Sequence, residues 1–139
     1  MRVFITGAEG FIGSHLTEHL LGKGFQVNAL VFYNFRNSWG WLDYSKYKSS
    51  KKLKVISGDI RDPKLIKSSM KGCDAVINLA ALIGIPYSYV SPLSYIQTNI
   101  LGTYNILEAA KDLKLKKIIQ TSTSEVYGSP NTVPIKETD

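Results

Sequence analysis

Thr6-Gly7-Ala8-Glu9-Gly10-Phe11-Ile12-Gly13 is the stretch on which the fold turns. It follows the short apolar run Val3-Phe4-Ile5 and opens a segment in which Ile12, Leu16 and Leu20 recur at helical spacing. Strand, glycine turn and helix in that order are the context in which three glycines make a phosphate site. Gly7 permits the tight turn, and Gly10 lets backbone N–H groups approach a pyrophosphate at the positive end of the helix. Gly13 allows the helix to lie close on the sheet. A dinucleotide is therefore the expected ligand, touched by Gly7, Gly10 and Gly13 and by Phe11 and Ile12 at the helix start.

Outward from this turn the chain alternates short β-branched runs with longer helical segments, the pattern of strands joined by crossover helices in one parallel sheet. Five strands are expected, over residues 3–6, 26–32, 53–57, 75–79 and 117–121. Asp62-Pro63 marks a helix start, with Asp as cap and Pro at the first helical position. Ser91-Pro92 opens another, in which Leu93, Ile96, Ile100 and Leu107 are expected to face the sheet. The fold class is α/β, a Rossmann-type doubly wound parallel sheet, with residues 1–139 forming a single nucleotide-binding domain.

Composition sets the outer limits. The 139 residues are 44% hydrophobic and 20% charged, which suits a packed core, and 17 Lys plus Arg against 11 Asp plus Glu give a net charge of +6. No uncharged apolar run reaches the roughly 18 residues of a membrane span, and the N-terminus lacks signal-peptide anatomy. A cytoplasmic protein without a membrane partner is expected. Cys73 is the single cysteine, so an intramolecular disulfide is excluded. His15 and His19 lie one helical turn apart without a third ligand at metal-site spacing, and no metal is expected.

Between Phe32 and Tyr47 the aromatic residues Tyr33, Phe35, Trp39, Trp41 and Tyr44 crowd together, followed by Lys46, Lys48, Lys51, Lys52 and Lys54. Rings interleaved with lysines can serve a single nucleic-acid strand. The expectation here is an aromatic cluster packed over the second crossover with lysines solvated outside it, and no nucleic-acid partner.

Ligand-binding candidates gather at the expected strand ends. An acid at the end of the second strand usually holds the adenosine ribose, but no acid occurs between Glu18 and Asp43. Asn34 is left as a ribose partner, or Arg36 as a partner for a 2′-phosphate, so NAD and NADP both stay open. After the third strand Asp59, with Ile60 beside it, is placed to accept from the adenine amine, whereas Asp62 is assigned to the helix cap. Leu79, Ala80 and Ala81 end the fourth strand with side chains small enough for a flat cofactor to pass. Thr121-Ser122-Thr123-Ser124-Glu125-Val126-Tyr127 follows the fifth strand and should face the same crevice. Hydroxyls there can polarise a substrate oxygen, and a glutamate can remove a carbon-bound proton.

These motifs together resemble the extended short-chain dehydrogenase/reductase family of nucleotide-sugar epimerases and dehydratases across the whole chain. The resemblance rests on Thr6-Gly7-x-x-Gly10-x-x-Gly13, Gly58-Asp59, Asn78-Leu79-Ala80-Ala81, Asn99-x-x-Gly102-Thr103 and Ser122 to Gly128. The triplet Thr123-Ser124-Glu125 is similar to GDP-sugar 4,6-dehydratases and UDP-glucuronate decarboxylases; dTDP-glucose dehydratases carry Asp in place of Ser124. Asn37-Ser38-Trp39-Gly40-Trp41-Leu42-Asp43 resembles a bacterial dehydratase subgroup acting on nucleotide-linked N-acetylhexosamine in legionaminic acid synthesis.

The resemblance implies a nucleotide-sugar substrate oxidised at C4 by the nicotinamide, with Thr123 on the C4 oxygen. Glu125 would take the C5 proton, and Ser124 would assist loss of the C6 hydroxyl. An epimerase or a decarboxylase is the alternative within the family, and a non-catalytic dinucleotide-binding module the alternative outside it. The family's tyrosine base lies in a Tyr-x-x-x-Lys pair after the fifth strand, and no such pair follows Lys117 here. Tyr44-x-x-x-Lys48 and Tyr47-x-x-x-Lys51 match the spacing in the wrong segment. The chain is accordingly expected to be the N-terminal part of a longer enzyme, inactive by itself and homodimeric when complete.

Overall fold

In the computed structural model the described residues are 1–130 and 132–139. The strands β1 (Arg2–Thr6), β2 (Gln26–Phe32), β3 (Leu53–Gly58), β4 (Ala75–Asn78) and β5 (Lys117–Gln120) form one sheet in the order β3-β2-β1-β4-β5. Every pairing is parallel, with Thr6 level with Leu30 on one side and Asn78 on the other. The connections are α1 (Phe11–Gly22), a 3₁₀ turn at Gly40–Tyr44, α2 (Pro63–Met70), and a composite third crossover. That crossover runs through α3 (Ile85–Val90), α4 (Pro92–Tyr95), a π-helical stretch at Ile96–Leu101 and α5 (Gly102–Asp112). Chain order reverses between β1 and β4, which makes the C-terminal edge at Thr6 and Asn78 the switch point of the sheet.

Side chains along a strand alternate between faces, and both faces are covered at β1, β2 and β4, whereas the edge strand β5 is exposed along its length. Phe4, Leu30 and Val76 join Ile66 and Met70 of α2 and Ile106, Ala109 and Ala110 of α5 in one core. Val3, Ile5, Val27, Ala29 and Val31 join Leu21 and Leu42 in the other, with Trp39 and Tyr47 packed against them. Part of the aromatic segment therefore does cover the second crossover. Phe32, Tyr33, Phe35, Trp41 and Tyr44 do not; each is more than half exposed, Phe35 and Tyr44 by 87% and 88%.

Two helical faces differ from expectation, for one physical reason. On α1 the buried residues are Gly13, Ser14, Thr17 and Leu21; Leu16 and Leu20 of the expected stripe pack half-buried against the same core, and Ile12 alone of that stripe is exposed. On α5 they are Gly102, Asn105, Ile106, Ala109 and Ala110. Leu93, Ile96, Ile100 and Leu107, expected on the sheet, are exposed by 62%, 53%, 65% and 42%. Small residues let these helices approach the sheet closely, so the small face turns inward although it is the less apolar one. The π-helical stretch adds to the shift, because its wider turn changes the phase on which a 3-and-4 spacing relies.

The motif Asn99-x-x-Gly102-Thr103 acts at this point. Asn99 clamps the loop after β4, accepting the Leu82 N–H at 2.9 Å and donating to the Leu82 carbonyl at 2.8 Å. A Cβ at Gly102 would stand 2.8 Å from the Ile60 side chain, so glycine is what seats α5 there.

Candidate functional site

A cleft of about 520 Å³ opens at the C-terminal edge of the sheet, lined by Gly7, Glu9, Gly10, Asp59, Ile60 and Arg61 together with Leu79, Ala80, Ala81 and Leu82. Leu30, Phe32 and Gly58 close it on the β2–β3 side, and Tyr87, Ser94 and Thr98 of the third crossover stand opposite. It follows from the sheet order: the strand ends on either side of the switch point leave a crevice that their connecting loops cannot fill.

The glycine turn forms one wall. Gly7 sits at φ +64, where a Cβ would lie 3.0 Å from the Ala80 nitrogen. Gly10 caps α1 in an extended conformation, its carbonyl accepting the Ser14 N–H at 2.9 Å. A Cβ at Gly13 would be 2.1 Å from the Gly7 carbonyl oxygen, a backbone contact that no rotamer relieves. Beneath this wall Thr6 Oγ1 donates to Asn78 Oδ1 at 2.5 Å and accepts the N–H groups of Leu79 and Ala80 at 3.1 and 3.0 Å. Asn78 Nδ2 donates to Gln120 Oε1 at 2.8 Å. One polar chain thus crosses the ends of β1, β4 and β5 and fixes their loops relative to each other. Leaving one member unpaired costs on the order of 1–3 kcal/mol.

The second strand ends differently from the usual arrangement. Glu9, from the glycine turn, reaches that edge and accepts the Phe32 N–H on Oε1 at 3.1 Å. Its other oxygen, Oε2, is buried without a hydrogen-bond partner. Glu9 stands inside the glycine run itself, whereas spacing along the chain places the ribose-binding acid about twenty residues further on. Asn34 spends its amide within its own loop, donating to the Phe32 and Ser38 carbonyls at 3.2 and 2.8 Å and accepting the Ser38 N–H at 3.1 Å. Arg36 lies over the Phe35 ring at 5.4 Å, and neither it nor Asn34 lines the cleft.

Asp59 does line it, with both carboxylate oxygens held by Arg61: Nε is 3.0 and 2.9 Å away, and the backbone N–H of Arg61 donates at 2.8 Å. That guanidinium holds the Asp59 carboxyl below the usual carboxylate range, against the opposing effect of partial burial. Asp62 is the α2 cap, accepting the N–H groups of Lys64 and Leu65 at 2.9 and 3.0 Å. Phe11 and Ile12 are exposed outside the cleft, with the Phe11 ring 4.6 Å from that of His15. Thr123, Ser124 and Glu125 are exposed as well, in a 3₁₀ turn at Ser124–Tyr127 where Thr123 Oγ1 accepts the Glu125 N–H at 3.3 Å. They are not among the residues that line the cleft. Lys48 is committed to Asp43 at 3.0 Å. Among the described residues no group of three or more His, Cys, Asp or Glu could hold a metal ion.

The whole stretch 4–139 matches the family model described as GDP-mannose 4,6 dehydratase. The chain belongs to this family. Its relatives include the UDP-N-acetyl-alpha-D-glucosaminuronate decarboxylase of Bacillus cytotoxicus, 39% identical over 99% of this chain and 41% of that protein. Among solved structures, UDP-glucose 4-epimerase from Bifidobacterium longum, in complex with NAD+ and UDP, superposes with a TM-score of 0.83 at 32% identity, covering 99% of this chain and 41% of that one. A dTDP-glucose 4,6-dehydratase from Streptomyces venezuelae with NAD bound gives 0.83 at 29% identity over 95% and 42%. The nucleotide-sugar epimerase/dehydratase family thus accounts for the fold and for the place of the cleft, and the chain spans about 41% of the length of these relatives.

Proposed function

We propose that the chain is the NAD(P)-binding part of a nucleotide-sugar 4,6-dehydratase, a lyase acting on a nucleotide-linked N-acetylhexosamine. The observation that carries the cofactor half is the cleft at the switch point, where the glycine turn, Asp59, Ile60 and Leu79 to Ala81 converge. The residues present fit a dinucleotide. Gly10 leaves the α1 N-terminus open to a pyrophosphate, and Glu9 brings an acidic residue to the cleft wall. When bound, NAD supplies a reversible two-electron acceptor for the sugar C4 carbinol.

Thr123, Ser124 and Glu125 carry the rest of the proposal. Thr123 binds the C4 oxygen, Glu125 removes the C5 proton, and Ser124 hydrogen-bonds the departing C6 hydroxyl. The triplet itself favours a dehydratase over an epimerase, whose reaction needs no elimination. Related decarboxylases and epimerases keep those activities as the alternative. A cytoplasmic setting belongs to the proposal and is compatible with Cys73, a single free cysteine. The exposed row Leu93, Ile96, Ile100 and Leu107 supports a homodimer built on the third crossover.

The test is Glu125→Gln in the enzyme at the length of its relatives. It keeps the shape and an acceptor oxygen while removing the base, a change that typically costs about 10² to 10⁴ in rate. C4 oxidation, read from cofactor absorbance, should survive while solvent deuterium exchange at C5 and release of the 4-keto-6-deoxy product collapse. Unchanged C5 exchange rejects Glu125 as the base and favours an epimerase.

A further inference from the structure

We infer that Glu9 is the residue that selects the cofactor, holding the adenosine ribose of NAD and excluding the 2′-phosphate of NADP. This rests on the dinucleotide reading of the cleft and adds to it a discriminating group supplied from within the glycine turn. Two contacts fix the carboxylate. At the backbone, Glu9 O accepts the Trp41 N–H at 3.0 Å, and Gly40, at φ +57, lies so close that a Cβ there would be 2.6 Å from the same oxygen. At the side chain, Oε1 accepts the Phe32 N–H at the very end of β2. Segment Trp39-Gly40-Trp41 and strand β2 therefore hold Glu9 from two sides, and its carboxylate stands where β2 itself provides no acid.

The remaining oxygen decides the ligand. Oε2 is buried with no protein donor, so a ligand hydroxyl reaches it only as the groups that cover it give way on binding, an exchange that an unpaired carboxylate oxygen favours. A ribose 2′,3′-diol offers two O–H donors at the cleft wall that Glu9 lines. A phosphate monoester brings a charge of about −1.5 to −2 and no O–H donor once fully ionised. The other charged groups of the lining do not offset this: Asp59 is itself an acid, and the Arg61 guanidinium is spent on Asp59. Arg36, the alternative phosphate partner, stands outside on Phe35.

The experiment is calorimetric titration of the 139-residue chain with NAD, NADP and 2′-deoxy-NAD, for the native sequence and for Glu9→Gln, Glu9→Asp and Arg36→Ala. Native protein should bind NAD at least about tenfold more tightly than NADP, and loss of the 2′-hydroxyl should cost about tenfold or more, as expected for a hydrogen bond to a charged group. Glu9→Gln, folded by circular dichroism, should narrow the NAD-over-NADP preference by about tenfold or more. Glu9→Asp should keep part of it, and Arg36→Ala should leave both affinities unchanged. A preference unchanged in Glu9→Gln overturns the inference while leaving the dinucleotide reading intact. If that variant does not fold, equal affinity of the native chain for NAD and 2′-deoxy-NAD overturns it. Native protein that binds neither NAD nor NADP overturns the dinucleotide reading, and the role of Glu9 with it.

Discussion

Gly10 and Gly13 stand three residues apart and answer to different constraints, which makes them separable by experiment. At Gly13 the missing Cβ is a packing requirement: it would meet the Gly7 carbonyl oxygen at 2.1 Å and Ala8 Cα at 2.8 Å, both backbone. Gly13→Ala should therefore destabilise the fold by about 1–3 kcal/mol or more, as overpacking does, in urea unfolding. At Gly10 the nearest atom to a Cβ is 3.4 Å away, an ordinary contact, and the backbone is extended at φ −75. Gly10→Ala should change stability by no more than about 1 kcal/mol, the scale of an N-cap change, yet weaken NAD binding because its methyl occupies the approach to the helix end. Equal stability for the two variants would refute the distinction between a packing glycine and a binding glycine.

At the scale of elements, caps were easier to read than faces. Asp62-Pro63 was legible because an N-cap is a local event: the Asp62 carboxylate serves two N–H groups within three residues of itself. Asp62→Ala should cost about 0.5–2 kcal/mol in urea midpoint analysis, without altering dinucleotide affinity. Which face of a helix is buried depends on how near the partner comes. On α1 and α5 the inward faces carry Gly13, Thr17, Gly102, Ala109 and Ala110, and the larger Ile12 and Leu107 are left outside. A stripe of large apolar residues predicts burial where spacing between layers is generous; here close approach reverses the choice.

Over the whole molecule, the sheet brings distant parts of the chain to one edge. Thr6, Asn78 and Gln120 are joined in a single hydrogen-bonded chain although more than seventy residues separate the first two. The same architecture leaves Leu93, Ile96, Ile100 and Leu107 exposed on the third crossover, large apolar side chains of the kind that an association surface covers. Self-association of the chain at about micromolar concentration is expected, read by light scattering. Ile96→Glu with Ile100→Glu should return a monomer with its NAD affinity unchanged. A native chain that stays monomeric would show that this face does not drive assembly.

The fold was determined by local sequence. Five short β-branched runs alternating with helical-period segments, the first followed by a glycine turn, are the pattern of a parallel sheet with crossover helices, and the strand limits read from the residues fall within one position of those observed. The acid at the end of β2 was decided by tertiary structure alone. It comes from Glu9, brought there because the β1–α1 turn and β2 are neighbours in the sheet while more than twenty residues apart in sequence. The commitments of Asn34 to Ser38 and of Arg61 to Asp59 are of the other kind, spanning four and two residues, each within one loop. The partner of Glu9 depends on what another strand delivers to within hydrogen-bond distance, and spacing along the chain carries no information about that.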